Sequence, residues 1–276
     1  MQNKSFIKKV TKGIQKRLTQ YFTNPYRDVN LNWFTIKYYK HLPNGKLRKH
    51  QLYGKSLYFI SPIELLHGIQ EIFLDQIYKQ NLPAKPYIID CGANIGLSVI
   101  YLKHLYPHAE ILAFEPDEKN FELLAKNIQS FGLDNVTPRK EAVWIENTTL
   151  KFASEGSMAS KIADDHSLNT QEVKATRLKD LLNREVDFLK IDIEGAEYQV
   201  LCDIDEKLAN VNNLFVEYHG LFSQCEELTK LFALFTKNGF SYYIKEARPV
   251  YDSPFTKQKD YAIPLDLQLN IFCFKP

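Results

Sequence analysis

The chain has 276 residues, enough for one large domain or a domain with an appended segment, and enough to bury a substantial core. An apolar fraction of 45% with 25% charged residues is ordinary for a globular protein, and a net charge of +2 leaves no electrostatic footprint for nucleic acid. Its cysteines (Cys91, Cys202, Cys225, Cys273) are widely spaced and form no CxxC pair, which argues against a zinc knuckle or a disulfide framework and fits a reducing compartment.

In chain order, residues 4–22 place Phe6, Ile7, Val10, Ile14, Leu18, Tyr21 and Phe22 at helical spacing with lysines between them. Such a basic amphipathic helix either docks on its own domain or makes peripheral contact with an anionic membrane; the docked reading is favoured, because an apolar stripe marks any surface helix. The basic start lacks the continuous apolar stretch of a signal peptide, and no apolar run approaches the roughly 20 residues of a membrane span, so a cytoplasmic location is expected. Trp33–Tyr39 and Leu47–Tyr53 read as strands of a hairpin around Pro43-Asn44-Gly45. Ser61 as N-cap and Pro62 at the first helical position open a helix through about Gln80. Residues 1–82 thus form an α+β extension, closed by the linker Asn81–Pro86, and residues 83–276 form a second domain.

From Tyr87 the texture changes to short apolar strands (87–90, 110–115, 139–144, 187–192, 213–218, 241–247, 270–275) alternating with helices near 97–106, 117–131, 195–209 and 223–238. That alternation implies a parallel α/β sheet covered on both faces. The last two strands lack a clear crossover helix and should pair antiparallel, and residues 149–178 should form a short β excursion. Within it, Ser157-Met158-Ala159-Ser160 reads as a turn, or as a loop facing a cofactor or acceptor.

The first βα turn carries Asp90-Cys91-Gly92-Ala93-Asn94-Ile95-Gly96. After a strand and before a helix, such a loop is a nucleotide-type motif: Gly92 allows a tight turn, Asn94 can take a left-handed conformation, and Gly96 lets the helix start pack closely. One βα unit later, Phe114-Glu115-Pro116 puts a carboxylate at a strand end, where it can accept both hydroxyl hydrogen bonds of a ribose. On the third strand Glu141 could accept from an adenine amino group with Ala142 beside the ring, while Trp144 reads as core. A dinucleotide fold wants glycine at position 94, where pyrophosphate meets naked backbone. S-adenosylmethionine has no phosphate to cradle and tolerates Asn94.

These segments, together with Asp187-Phe188-Leu189-Lys190-Ile191-Asp192-Ile193-Glu194-Gly195-Ala196-Glu197, resemble the FkbM-type family of class I methyltransferases over roughly residues 85–275. The resemblance implies a seven-stranded, mostly parallel Rossmann-like sheet with a reversed last strand, S-adenosylmethionine as cofactor, and methylation of a hydroxyl on a small-molecule or carbohydrate-like acceptor. The cofactor residues would be Asp90, Gly92, Ala93, Asn94, Gly96, Glu115, Pro116, Glu141, Ala142 and Asp192.

For catalysis, Asp192 ends the fourth strand on the ligand-binding sheet edge, and Glu194 follows at a helix start. His219 closes the fifth strand, where a neutral imidazole could take the acceptor proton; Glu217 and Tyr218 are further acceptor-side candidates. Glu197 reads as an ordinary helix N-terminal acid. Asp192, Glu194 and His219 are an oxygen-rich set without fixed ligand spacing, so no metal is expected. The rival readings are a nicotinamide-dependent oxidoreductase, opposed by Asn94, and a non-catalytic cofactor-binding protein. Nucleic-acid methylation is weaker, given the balanced charge and the lack of an aromatic-proline signature at Asp192–Gly195.

Overall fold

The computed structural model describes residues 24–153, 161–162, 170–258 and 265–275. The basic helix expected over residues 4–22 and the segment Ser157–Ser160 lie outside them.

A short helix α1 (Asn24–Asp28) leads to α2 (Trp33–Tyr39), where sequence reasoning expects a strand. Asn32 decides the matter: its side chain accepts the Thr35 N–H at 2.9 Å and caps the helix. The hairpin is built from β1 (Arg48–Leu52) and β2 (Lys55–Phe59). Its two-residue turn is Tyr53-Gly54, with φ of 51° and 74°, rather than Asn44-Gly45. Helix α3 (Pro62–Gly68) begins at proline as expected, but Ser61 makes no side-chain cap bond. It runs into a π-helical turn, Ile69–Leu74, and stops there, short of Gln80. π-helical turns cost hydrogen-bond geometry and recur at functional sites.

The α/β part follows as β3 (Tyr87–Cys91), α4 (Leu97–Leu105), β4 (Glu110–Phe114), α5 (Glu118–Phe131) and β5 (Val136–Arg139). Where one strand was expected over 139–144, the chain leaves the main sheet after Arg139. β6 (Ala142–Trp144) instead joins a four-stranded sheet with β7 (Thr148–Ala153), β8 (Lys161–Ile162) and β9 (Thr170–Arg177), the expected β excursion. Pro138 lies on β5, an edge strand, where a missing N–H is tolerated. The chain then continues through β10 (Val186–Ile191), α6 (Glu197–Asp203), β11 (Val211–Gly220), α7 (Cys225–Lys237), β12 (Ser241–Glu246) and β13 (Leu267–Phe274).

The main sheet has seven strands in the order β12-β13-β11-β10-β3-β4-β5. Pairings from β11 through β5 are parallel, and β13 runs antiparallel to both β11 and β12. This is the expected mixed α/β sheet with its last strand reversed.

Strand alternation sorts the core into two faces. Ile89, Cys91, Leu189, Ile191, Leu214 and Val216 pack with Val200 and Leu201 of α6 and Leu231 and Phe235 of α7. On the opposite face, Ile88, Ile111, Phe188 and Phe215 share one apolar cluster with Leu102 of α4 and Leu124 of α5. Leu52, Leu57, Phe59, Leu65, Ile69, Phe73 and Tyr78 belong to that same cluster, so the N-terminal segment is a packed layer of it. Among the described residues, no helix is long and apolar enough to cross a membrane.

Candidate functional site

The period of two that buries Ile88, Phe188 and Phe215 continues past the apolar zone to Asp90, Lys190, Asp192, Glu217 and His219. All five therefore share one sheet face at its carboxyl edge, beneath the π-helical turn. Tyr218 has the opposite parity and lies in the other core, away from the cleft. It is removed from the acceptor-side candidates.

The glycine loop is fixed by backbone. The N–H groups of Gly92 and Ala93 both donate to the Phe114 carbonyl, at 3.0 and 2.8 Å. Gly92 has φ 88°, and a Cβ there would sit 1.9 Å from the Asp192 carbonyl oxygen; the close approach that demands glycine is to the end of β10. Asn94 adopts the left-handed conformation its residue type allows, φ 48°. Gly96 (φ 89°) packs against Leu124 of α5.

Glu115 closes the loop from the side. One carboxylate oxygen accepts the Asn94 N–H at 2.8 Å and the other the Asp117 N–H at 2.9 Å. Each oxygen has a second lone pair, and the residue lines the cleft, so acceptor capacity remains. Burial pushes the carboxyl up to about 8, against the pull of those two N–H groups. Glu141 is more heavily engaged. It pairs with Arg139 at 2.6 Å and Lys174 at 2.9 Å and accepts from Thr176, and these bonds outweigh burial to hold its carboxyl below the usual range.

Behind the loop lies a buried lysine with no role assigned from sequence. The Lys190 ammonium donates to the Gly92 carbonyl at 2.7 Å and stands 3.2 Å from carboxylate oxygens of both Asp90 and Asp192. Burial would discharge it, but Asp192 and Asp90 hold its pKa well above the ordinary lysine value. Asp90 is fully buried and accepts the Ser98 hydroxyl at 2.5 Å. Asp90 and Gly96 are not among the residues lining the cleft; they shape the loop from behind.

Across the edge, Glu194 (φ 58°) and Gly195 (φ 102°) carry a left-handed turn between β10 and α6. Glu197 holds it: its carboxylate accepts the Ile193 N–H at 3.1 Å and the Gly195 N–H at 3.0 Å. The same group is 3.1 Å from His219 Nδ1 and is almost fully buried, which makes it far more than a helix-end acid. His219 Nε2 faces the cleft, 3.7 Å from Glu194 and from Glu217 and 3.3 Å from the Gln268 amide. Burial alone would lower the imidazole, but Glu197, Glu194 and Asp192 overcome it and push it up to about 10. The carboxylates around the ring thus favour the imidazolium over the neutral imidazole expected from sequence. Glu217 goes the other way: burial, aided by Asp192, pushes it up to about 8.

These groups open on a cleft of about 930 Å³. Gly92, Ala93, Asn94, Glu115, Pro116, Glu141 and Ala142 line one end, and Asp192, Glu194, Glu217 and His219 line the other. The far wall comes from outside the motifs: Glu64, His67 and Glu71 of the N-terminal layer, and Lys245, Arg248 and Gln268 of the last two strands and their loop. Glu71 is tied to Asn270 of β13 at 2.9 Å. The readable signals were polar residues interrupting apolar strands, Lys190 in Phe188–Ile193 and Gln268 and Asn270 in Leu267–Phe272.

A pH dependence follows. Glu115 and Glu217 bind more protons folded than unfolded between 4.5 and about 8, and His219 does so between 6.5 and about 10. All three contributions are complete below the unfolded pKa and are lost as pH rises through the folded one. Unfolding free energy should therefore fall as pH rises, most steeply between 6.5 and about 8, where all three windows overlap. Urea titrations in chelator at several pH values check this; stability that climbs across the window contradicts it.

A family model described as the methyltransferase FkbM domain matches residues 90–242, more than half of the chain. The chain belongs to the FkbM methyltransferase family. It is 31% identical over 201 residues to the methyltransferase sdnD of Sordaria araneosa, covering 59% of this chain and 78% of that protein. It is 29% identical over 183 residues to Methyltransferase 1 of Beauveria bassiana (56% and 73%). With the hexuronic acid methyltransferase AglP of Haloferax volcanii it shares 27% identity over 168 residues (56% and 64%).

Proposed function

We propose that this FkbM-family methyltransferase binds S-adenosylmethionine along the Gly92–Glu115–Ala142 end of the cleft and methylates a hydroxyl oxygen of a small-molecule or carbohydrate-like acceptor at the Asp192–His219 end. The observation that carries this reading is the single cleft that joins the glycine loop and Glu115 to Asp192, Glu194 and His219. The donor set suits the cofactor. Glu115 offers lone pairs for ribose hydroxyls, Ile95, Phe114, Ala142 and Val143 supply apolar surface for an adenine ring, and nothing at Asn94 provides the bare backbone that pyrophosphate needs. Bound there, S-adenosylmethionine supplies an electrophilic methyl carbon on a positively charged sulfur.

The chain's own residues then have three tasks. Asp192, steadied by Lys190, marks the junction between the two ends and faces the methyl position. Glu194 and His219, both held by the Glu197 carboxylate and its loop, orient the acceptor oxygen for in-line attack. The proton lost by the hydroxyl goes to a neighbouring carboxylate; Glu217, raised to about 8, is a better base at neutral pH than an ordinary glutamate. The wall from the N-terminal layer, with Lys245 and Arg248 beside it, lies on the acceptor side and sets which acceptors enter. We carry the division at residues 82/83, with 1–82 as an acceptor-shaping extension, as part of this reading. The AglP likeness favours a sugar-like acceptor.

Calorimetry tests the cofactor assignment: S-adenosylmethionine should bind and NAD should not. Binding of NAD alone would return the nicotinamide alternative. With an acceptor in hand, Asp192→Asn and His219→Ala should each lower kcat by roughly 10²–10⁴-fold, the span of a lost acid–base or orienting group; full activity in both removes them from the chemistry.

A further inference from the structure

At the acceptor end of the cleft, Asp192, Glu194 and Glu217 line the wall with His219, and Glu197 lies against the imidazole. Lys190 is committed to Asp90, Asp192 and the Gly92 carbonyl. Three ligand atoms, one each from Asp192, Glu194 and His219, lie within 4.8 Å of one another. That span accommodates an ion with bonds of about 2.1–2.4 Å, since trans ligands then stand no more than about 4.8 Å apart.

A second, independent feature is the orientation of the histidine. Glu197 carries no proton donor when ionised, so it accepts from His219 Nδ1–H, at 3.1 Å. With Nδ1 so held, Nε2 is the nitrogen that points at the carboxylates of Glu194 and Glu217, and an ion bound there would displace its proton. A histidine donating Nδ1–H to a buried carboxylate while presenting Nε2 to an oxygen-lined pocket is the arrangement that fixes metal-binding imidazoles. In the structure Nε2 has the Gln268 amide 3.3 Å away, a partner an ion would replace; that amide keeps its bond to Glu217 at 2.6 Å. No fixed ligand spacing is visible along the chain because the three residues come from a strand end, a left-handed turn and a different strand.

We propose that Asp192, Glu194 and His219 form a divalent-cation site, with Glu197 as the positioning residue for His219. Two carboxylates and one imidazole suit a hard-to-borderline ion of the Mg²⁺ or Mn²⁺ class. Three protein ligands leave about three positions of a six-coordinate ion for water or acceptor oxygens, so the site favours acceptors that chelate through two adjacent oxygens, such as a vicinal diol or a hydroxy acid. The role of the ion rests on the methyl-transfer reading above. An acceptor hydroxyl held on the cation is acidified and gives its proton to the Glu217 carboxylate. Its oxygen lone pair forms the new C–O bond as the methyl C–S bond breaks, and the electron pair of that bond stays on sulfur, leaving a neutral thioether.

The test uses the full chain, stripped with chelator and titrated with Mn²⁺ by calorimetry and electron paramagnetic resonance. About one equivalent should bind, and pulsed resonance on the wild-type complex should show a directly coordinated imidazole nitrogen. Glu194→Gln and His219→Ala should each weaken binding at least tenfold, and Glu197→Gln by roughly 10–100-fold through the lost orienting bond. Absence of bound Mn²⁺, absence of the nitrogen coupling, or affinity unchanged in Glu194→Gln overturns the site; the wild-type spectrum decides even where a variant fails to fold. S-adenosylmethionine calorimetry on the same sample separates the two readings. Cofactor binding without Mn²⁺ sinks the cation site alone, whereas Mn²⁺ without cofactor binding sinks the methyl-transfer reading alone.

Discussion

Lys190→Met should destabilise the fold by about 3–5 kcal/mol, the cost of stripping a buried charge network of its partner. Methionine fills nearly the same space, so little of this loss is packing. What is lost is the ammonium between Asp90 and Asp192 and the donor to the Gly92 carbonyl. Asp90 has no route to water, since it is fully buried. Guanidinium denaturation measures the loss. A double-mutant cycle with Asp90→Asn isolates the pair, because neutralising the orphaned partner should recover part of the deficit. A loss below about 1 kcal/mol would place Lys190 among exposed ion pairs and contradict its buried position.

Glu115→Ala should weaken S-adenosylmethionine binding by roughly 10²–10⁴-fold, from two charge-assisted ribose bonds of about 1.5–3 kcal/mol each. The same substitution strands the Asn94 and Asp117 N–H groups, which Glu115 satisfies with one oxygen apiece. Stability should therefore fall as well, by about 1–3 kcal/mol for each donor left without an acceptor. Glu115→Gln separates the effects. Its carbonyl can serve one N–H, but its amide meets the other donor to donor, so it should fall between wild type and alanine in stability. Calorimetry and urea unfolding on the same samples give both numbers. Wild-type affinity in a folded alanine variant would remove Glu115 from the cofactor site.

Much of this architecture could be read from sequence because its signals are local. Apolar runs of fixed length gave the strands, and Asn94 and Gly92 occupy the backbone conformations that their residue types favour. The errors fell where a local signal had a competitor. Trp33–Tyr39 has strand-like composition, yet one side-chain bond from Asn32 tips it to helix. Asn44-Gly45 is a good turn sequence, but Tyr53-Gly54 sits between the segments whose apolar faces, Leu52 with Leu57 and Phe59, reach the core. Within the site, residues adjacent to a loop or strand end were found, and those acting at a distance were not. Glu197 looked like any helix-end acid because its partner, His219, lies on another strand. Lys190 stood inside the most distinctive motif and still carried no assigned role, since only the sheet register brings it to Asp90.

The shared apolar cluster beneath the cleft has a thermodynamic consequence. Leu57, Phe59, Leu65 and Phe73 are buried in one cluster with Ile88, Leu102, Phe188 and Phe215. Melting should therefore be cooperative across the change of texture at residues 82/83. Anything that grips the glycine loop and the far wall at once draws on the stability of the whole molecule, and whatever loosens the wall is felt at the loop as lost affinity.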